Sequence, residues 1–202
     1  MQVLRSNKAQ YEYEIHALVK AFYPAWDLKI LTPESVVKDR KILEIPPVME
    51  LEFGEDEVKF VIYNGLHNFG QADSDLQNPN DMNAVSDETS VYTWSGIRKV
   101  SPTDYKNAFG RFLYTSLREE TGISLPWGNL TGIRPTKIAM TMLESGKSEQ
   151  DVEAFLRDER FVSDEKIKLS IEIAKREREI LSTLHYEDGY SLYIGIPFCP
   201  TT

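Results

Sequence analysis

The spacing of apolar residues changes along this chain, and the change limits which folds it can adopt. In the first half most apolar residues recur every second position: Met49, Leu51 and Phe53 alternate with Glu50 and Glu52, and Glu57 to Tyr63 continues in the same way. From about residue 102 they recur at helical spacing, with Tyr105, Ala108, Phe109, Phe112, Leu113 and Leu117 on one stripe. A period of two belongs to a half-buried strand and a period of three to four to an amphipathic helix. Strands followed by a run of helices predict an α+β fold.

Local signals divide the chain further. Residues 2–5 are a short candidate strand, and Tyr11, Ile15, Leu18, Val19 and Phe22 form one helical stripe that Pro24 stops. Trp26 to Leu31 alternates as a strand does, and Pro33 ends it. Lys41 to Phe53 is strand-like but is broken at Pro46-Pro47, which cannot donate ladder hydrogen bonds. Gly54-Glu55-Asp56 is a turn that makes the flanking runs a β-hairpin with an acidic tip. Residues 64–90 contain no Lys or Arg and are rich in Asn, Asp, Ser and Gly; they read as a long surface loop leading to a short strand near Val91 to Trp94. Gly122 suits the left-handed position that ends the first long helix of the second half. Pro135 opens the next helix, which is expected to bury Ile138, Met142 and Leu143 and to stop at Gly146. Ser148 to Asp151 resembles a capping box for a third helix carrying Val152, Phe155 and Leu156. Ser163 opens a fourth, with Ile167, Ile171, Ala174, Arg178 and Leu181 on its stripe. After a turn at Asp188-Gly189, Tyr190 to Ile196 is predicted to be a buried strand.

Charge and composition exclude several functional classes. The 202 residues carry a net charge of −9, and residues 44–90 hold eleven acids against the single base Lys59, so the whole of the excess lies there. Such a segment repels phosphate backbones, so nucleic acid is not expected as a partner. The simple reading is a solvated face; the alternative is an acidic docking surface. No apolar run approaches the roughly 20 residues of a membrane helix, and Met1 to Glu14 has no secretory pattern. A single Cys gives no disulfide framework, which makes the cytoplasm the expected compartment.

No complete catalytic constellation is visible. His16, His67 and His185 lack metal-ligand spacing, and there is no Walker loop, dinucleotide fingerprint or nucleophile elbow. Two segments carry chemical information. In Pro126-Trp127-Gly128-Asn129-Leu130-Thr131-Gly132-Ile133-Arg134-Pro135-Thr136-Lys137, a Gly-rich stretch runs into a helix start. Its backbone N–H groups, with Arg134 and Lys137, could hold a carboxylate or phosphate. The competing reading is a tight interhelical connection in which Trp127 packs and Arg134 pairs with a local acid. The second segment is Tyr193-Ile194-Gly195-Ile196-Pro197-Phe198-Cys199, a strand that delivers a thiol into a loop. A thiolate so placed is either an ordinary Cys or the start of an iron–sulfur site.

The second segment resembles the cluster-motif entry of the radical S-adenosylmethionine enzymes related to oxygen-independent coproporphyrinogen III oxidase. The first resembles the signature of the coproporphyrinogen III dehydrogenase branch that carries an extra N-terminal domain. The resemblance implies a 4Fe–4S cluster on three Cys, with Cys199 as the first ligand and the others expected at positions 203 and 206. It implies that Tyr193 lies near S-adenosylmethionine, whose reductive cleavage supplies the radical that starts oxidative decarboxylation of porphyrinogen propionates to vinyls. An electron donor is then a second partner. Gly195 departs from the family pattern, which often has His there, and removes one polar group from the site.

These expectations define three parts: an accessory domain at 1–122, a helical linker at 123–188, and the first strand of a truncated radical (β/α) barrel at 189–202. Arg134 and Lys137 are the expected contacts to substrate carboxylates. The chain by itself is expected to bind no cofactor and to be inactive, because one thiolate cannot hold a cubane cluster. Two other readings stand beside this one: a haem-binding, haem-delivering relative of the same superfamily, and a free-standing acidic interaction module.

Overall fold

The first strand, β1 (Gln2–Ser6), is followed by helix α1 (Glu12–Phe22), which returns the chain to a parallel neighbour, β2 (Leu28–Leu31). The computed structural model describes residues 1–35, 45–63, 89–95, 100–101, 104–184, 189–190 and 192–195. On its other side β1 pairs in parallel with β3 (Met49–Phe53), which turns through Gly54 into the antiparallel β4 (Glu57–Tyr63). Strand β5 (Thr89–Ser95) adds antiparallel to β4, so the sheet order is β2-β1-β3-β4-β5. The hairpin expected around Gly54 is present, with the Gly54 N–H donating to the Glu57 carbonyl at 2.8 Å. Most of the acidic segment, residues 64–88, lies outside the described residues, as do His67, His185, Asp188 and Cys199.

Register assigns the two faces of the sheet. Leu4, Ile30, Met49, Leu51, Phe53, Val58, Phe60 and Ile62 are buried and pack in one cluster. Tyr92 and Trp94 of β5 stand opposite Phe60 and Val58 on the same face. Helices α1 and α2 (Tyr105–Thr121) cover that face with Ile15, Leu18, Val19, Phe22, Phe109, Leu113 and Leu117. The opposite face carries Arg5, Glu50, Glu52, Lys59 and Tyr63, with Glu52 beside Lys59 in register. Two-layer packing follows from the alternation: one face is apolar, and the other mixes charged side chains with Leu31, Val61 and Val91.

The second half builds its own cluster. Helix α3 (Pro135–Glu144), helix α4 (Glu149–Ala154) with its π turn at Phe155–Glu159, and helix α5 (Asp164–Ser182) pack around Ala139, Leu143, Val152, Leu156, Val162, Ile167 and Ile171. The predicted capping box forms: Ser148 accepts from the Asp151 N–H, and the Asp151 carboxylate accepts from the Ser148 N–H. Gly122 ends α2 at φ 67°, as expected.

Three expectations are corrected. Helix α3 turns Thr136, Ala139, Met140 and Leu143 inward, leaving Ile138 and Met142 only half-buried. The same holds for Phe155, because the π turn that begins there departs from the α-helical register. The strand expected at Tyr190 to Ile196 is not formed among the described residues, and Tyr190, Leu192 and Ile194 are 95%, 77% and 80% exposed. A strand needs a neighbour for its backbone N–H and C=O groups, and none pairs with these residues. The barrel expectation therefore gains no support from them.

Candidate functional site

The loop from α2 to α3 holds most of the first sequence signature and is tied closely to the end of the π turn. Gly128 (φ 56°) closes a tight turn, its N–H donating to the Leu125 carbonyl at 2.9 Å. The next N–H, of Asn129, donates to the Arg160 carbonyl at 3.0 Å, and the Ser163 N–H returns to the Pro126 carbonyl at 3.0 Å. Trp127 packs on the second cluster, and the Lys166 ammonium stands 5.9 Å from its ring centroid. Gly132 (φ 67°) passes beneath the Tyr13 hydroxyl, which joins the loop to α1.

Arg134 and Lys137 lie at the start of α3, three residues apart and so on one face. Arg134 is an exposed N-cap residue; its guanidinium forms an ion pair with Glu177 of α5, and its Nε donates to Thr136 Oγ1 at 3.1 Å. Arg134 does pair with an acid, but not with the local one expected: the partner is 43 residues away and is brought in by the packing of α5. Lys137 is exposed and has no ion pair among the described residues. Both cations border an open groove of about 490 Å³ whose other walls include Ile133, Ile138, Met142 and Phe155. No acid lines it.

A second cavity, of about 250 Å³, lies where the loop meets α1 and α2. Arg160 reaches it and donates from Nη1 to Asn107 Oδ1 at 3.0 Å, with its guanidinium 5.3 Å from the Phe155 ring centroid. Burial holds the Arg160 guanidinium below its ordinary range, and Arg111 nearby adds to the effect. Arg160 Nε and Asn129 Oδ1 are buried without a hydrogen-bond partner among the described residues. Nothing in the local sequence marks Arg160; it ends a helical turn and is brought to the loop only by packing.

A groove of about 620 Å³ lies on the opposite sheet face, beside Arg5, Glu50 and Lys59. There Glu50 accepts from Arg5 at 3.3 Å and from the Tyr63 hydroxyl at 2.6 Å. The hydrogen bond to Glu50 raises the Tyr63 phenol above its ordinary value, with burial adding to it. These charges satisfy one another across neighbouring strands, and the groove contains neither Arg134 nor Lys137.

Tyr193 is 91% exposed, with its ring beside Gly195, and does not line the groove of Arg134 and Lys137. Cys199 lies outside the described residues. Among the described residues no cluster of His, Cys, Asp or Glu could hold a metal, and no helix is long and apolar enough to cross a membrane. The single Cys among these 202 residues cannot by itself hold a cubane cluster.

Fold and site together describe a mixed α/β chain in which a one-faced sheet is joined, through a Gly-rich loop, to a helical unit with a cation-bordered apolar groove. Over 97 residues the chain is 43% identical to the oxygen-independent coproporphyrinogen-III oxidase-like protein HemZ of Bacillus subtilis, a match that covers 48% of this chain. It spans only 19% of that relative's length. This partial match bears out the resemblance to the coproporphyrinogen oxidase-like proteins. No family model matches the chain, and no solved structure matches it.

Proposed function

We propose that this chain is the N-terminal part of a coproporphyrinogen III dehydrogenase-like radical S-adenosylmethionine oxidoreductase, acting in oxygen-independent porphyrin biosynthesis. The observation that carries the reading is the 43% identity to a coproporphyrinogen-III oxidase-like protein over 97 residues, alongside the two signature segments. In this reading the cluster and S-adenosylmethionine supply the radical chemistry, with Cys199 as one cluster ligand and Tyr193 beside the cofactor. The described part of the chain does different work. It presents Lys137 and Arg134 to propionate carboxylates, and a guanidinium and an ammonium one helical turn apart suit such a group. In this reading the complete protein works in the cytoplasm with a separate electron donor.

The test is anaerobic incubation of the full-length, cluster-loaded protein with coproporphyrinogen III, S-adenosylmethionine and a low-potential reductant. Protoporphyrinogen IX is the expected product, read as protoporphyrin fluorescence after oxidation. Absence of any vinyl product from loaded protein overturns the enzyme reading. Gly195, which lacks the polar side chain often found there in the family, leaves one alternative open, a haem-delivering relative. Stoichiometric haem binding without decarboxylation would select that alternative.

A further inference from the structure

We infer that the groove between α3 and the π turn is a binding site for a flat ring bearing a carboxylate arm. Ile138 and Met142, on one face of α3, pack on the edge of the helical core but are only half-buried, although their spacing marks them for burial. With Phe155 and Ile133, which is 53% exposed, they leave an apolar surface open to solvent. Apolar side chains left uncovered and gathered into one concavity mark binding surfaces more often than scattered exposure does. The π turn beginning at Phe155 supports this, since single π turns recur at functional sites.

Charge selects the occupant. The chain is net −9, yet the only charged residues lining this groove are Arg134 and Lys137. An apolar floor with cations along one border complements a ligand that is apolar over its body and anionic at its edge. The Phe155 ring and the Met142 thioether favour a flat π system over a saturated chain. At about 490 Å³ the open groove takes one edge of a large macrocycle. Under the function proposed above, on which the identity of the ligand rests, that edge is a pyrrole with its propionate.

Glu177 gives the site a competing anion. It holds Arg134 in this structure, so an incoming carboxylate must either share the guanidinium or displace Glu177. Lys137 has no such competitor among the described residues.

The experiment is a fluorescence titration of this 202-residue chain with coproporphyrin III, the stable oxidised tetracarboxylate. Lys137→Glu is expected to weaken binding about tenfold or more, the loss of a charge-assisted contact plus repulsion. Ile133→Ser is expected to weaken it about threefold, and Glu177→Gln to tighten it about threefold by freeing Arg134. Positions 133 and 137 are exposed, so folding is expected to survive, and circular dichroism verifies it. Decanoate at equal concentration is expected not to compete. The inference is overturned if coproporphyrin III does not bind, if Lys137→Glu and Glu177→Gln leave the affinity unchanged, or if decanoate competes equally. None of these outcomes bears on product formation by the full-length protein, so the groove and the function fail separately.

Discussion

Gly128 lies so close to Arg160 that a Cβ built at position 128 would come within 1.8 Å of the Arg160 carbonyl oxygen. That contact places the Gly-rich loop directly against the end of the π turn. It fixes where α3 begins, and with it the position of Arg134 and Lys137 relative to Phe155.

Gly128→Ala is therefore expected to destabilise the chain by about 3 kcal/mol, the left-handed conformation costing about 1–2 kcal/mol and the backbone displacement the remainder. Gly132 shares the positive φ, but its added Cβ would meet the Tyr13 hydroxyl at 2.4 Å, the far end of a side chain on a residue 66% exposed. Tyr13 can swing away, so Gly132→Ala should cost only about 1 kcal/mol. Urea unfolding midpoints of the two variants check the difference; equal costs would show that the Arg160 contact is not rigid.

Phe161 is the only non-glycine residue at positive φ (58°) among those described, and its N–H closes the helix end on the Arg157 carbonyl at 3.1 Å. A Gly is the usual occupant of such a position. The Phe is retained here with its ring stacked on Tyr114, centroids 4.9 Å apart and planes at 10°. Phe161→Ala loses the stacking and keeps the strain, whereas Phe161→Gly loses both. The Gly variant should be more stable than the Ala variant by about 1 kcal/mol, measured by thermal unfolding.

Hydrogen bonds from the Ser148 hydroxyl and N–H hold the Asp151 carboxyl below its ordinary value. A depressed carboxyl contributes stability above the pKa of the unfolded chain and loses it as pH falls through the folded value. Ser148→Ala should move the Asp151 titration upward in a carboxyl-resolved NMR experiment and cost about 1 kcal/mol of stability at neutral pH. An unmoved titration would mean that the capping box does not persist in solution.

At the sheet edge, burial pushes the Tyr92 phenol up to about 12, helped by its hydrogen bond to Glu120 at 2.9 Å. Burial raises Tyr23 as well, with the Glu120 charge adding to it. A raised phenol stabilises the fold fully below the unfolded value of about 10 and loses that contribution as pH rises through the folded value. Stability should fall between about pH 10 and 12, and Tyr92→Phe should flatten part of that fall. Fluorescence-monitored unfolding at stepped pH reads both.

What the sequence determined by itself is what lies within a few residues of chain. The Gly54 hairpin, the Gly122 helix end, Pro135 at the first turn of α3 and the Ser148 capping box each depend on near neighbours, and each stands where its residue types require. The stripes of α1 and α2 were legible for the same reason, because one apolar face leaves a helix a single way to pack. Tertiary structure decided the rest. The central position of β1 between two parallel neighbours depends on pairings across 26 and 45 residues, which no local pattern encodes. Burial on α3 followed the same rule: Ala139 and Met140 are buried in the helical cluster, whereas Ile138 and Met142 only border it. The Arg134–Glu177 pair and the Gly128–Arg160 contact join residues 43 and 32 positions apart. Helix and turn chemistry act over one or two turns, whereas the site is made by contacts that exist only after the helices have packed.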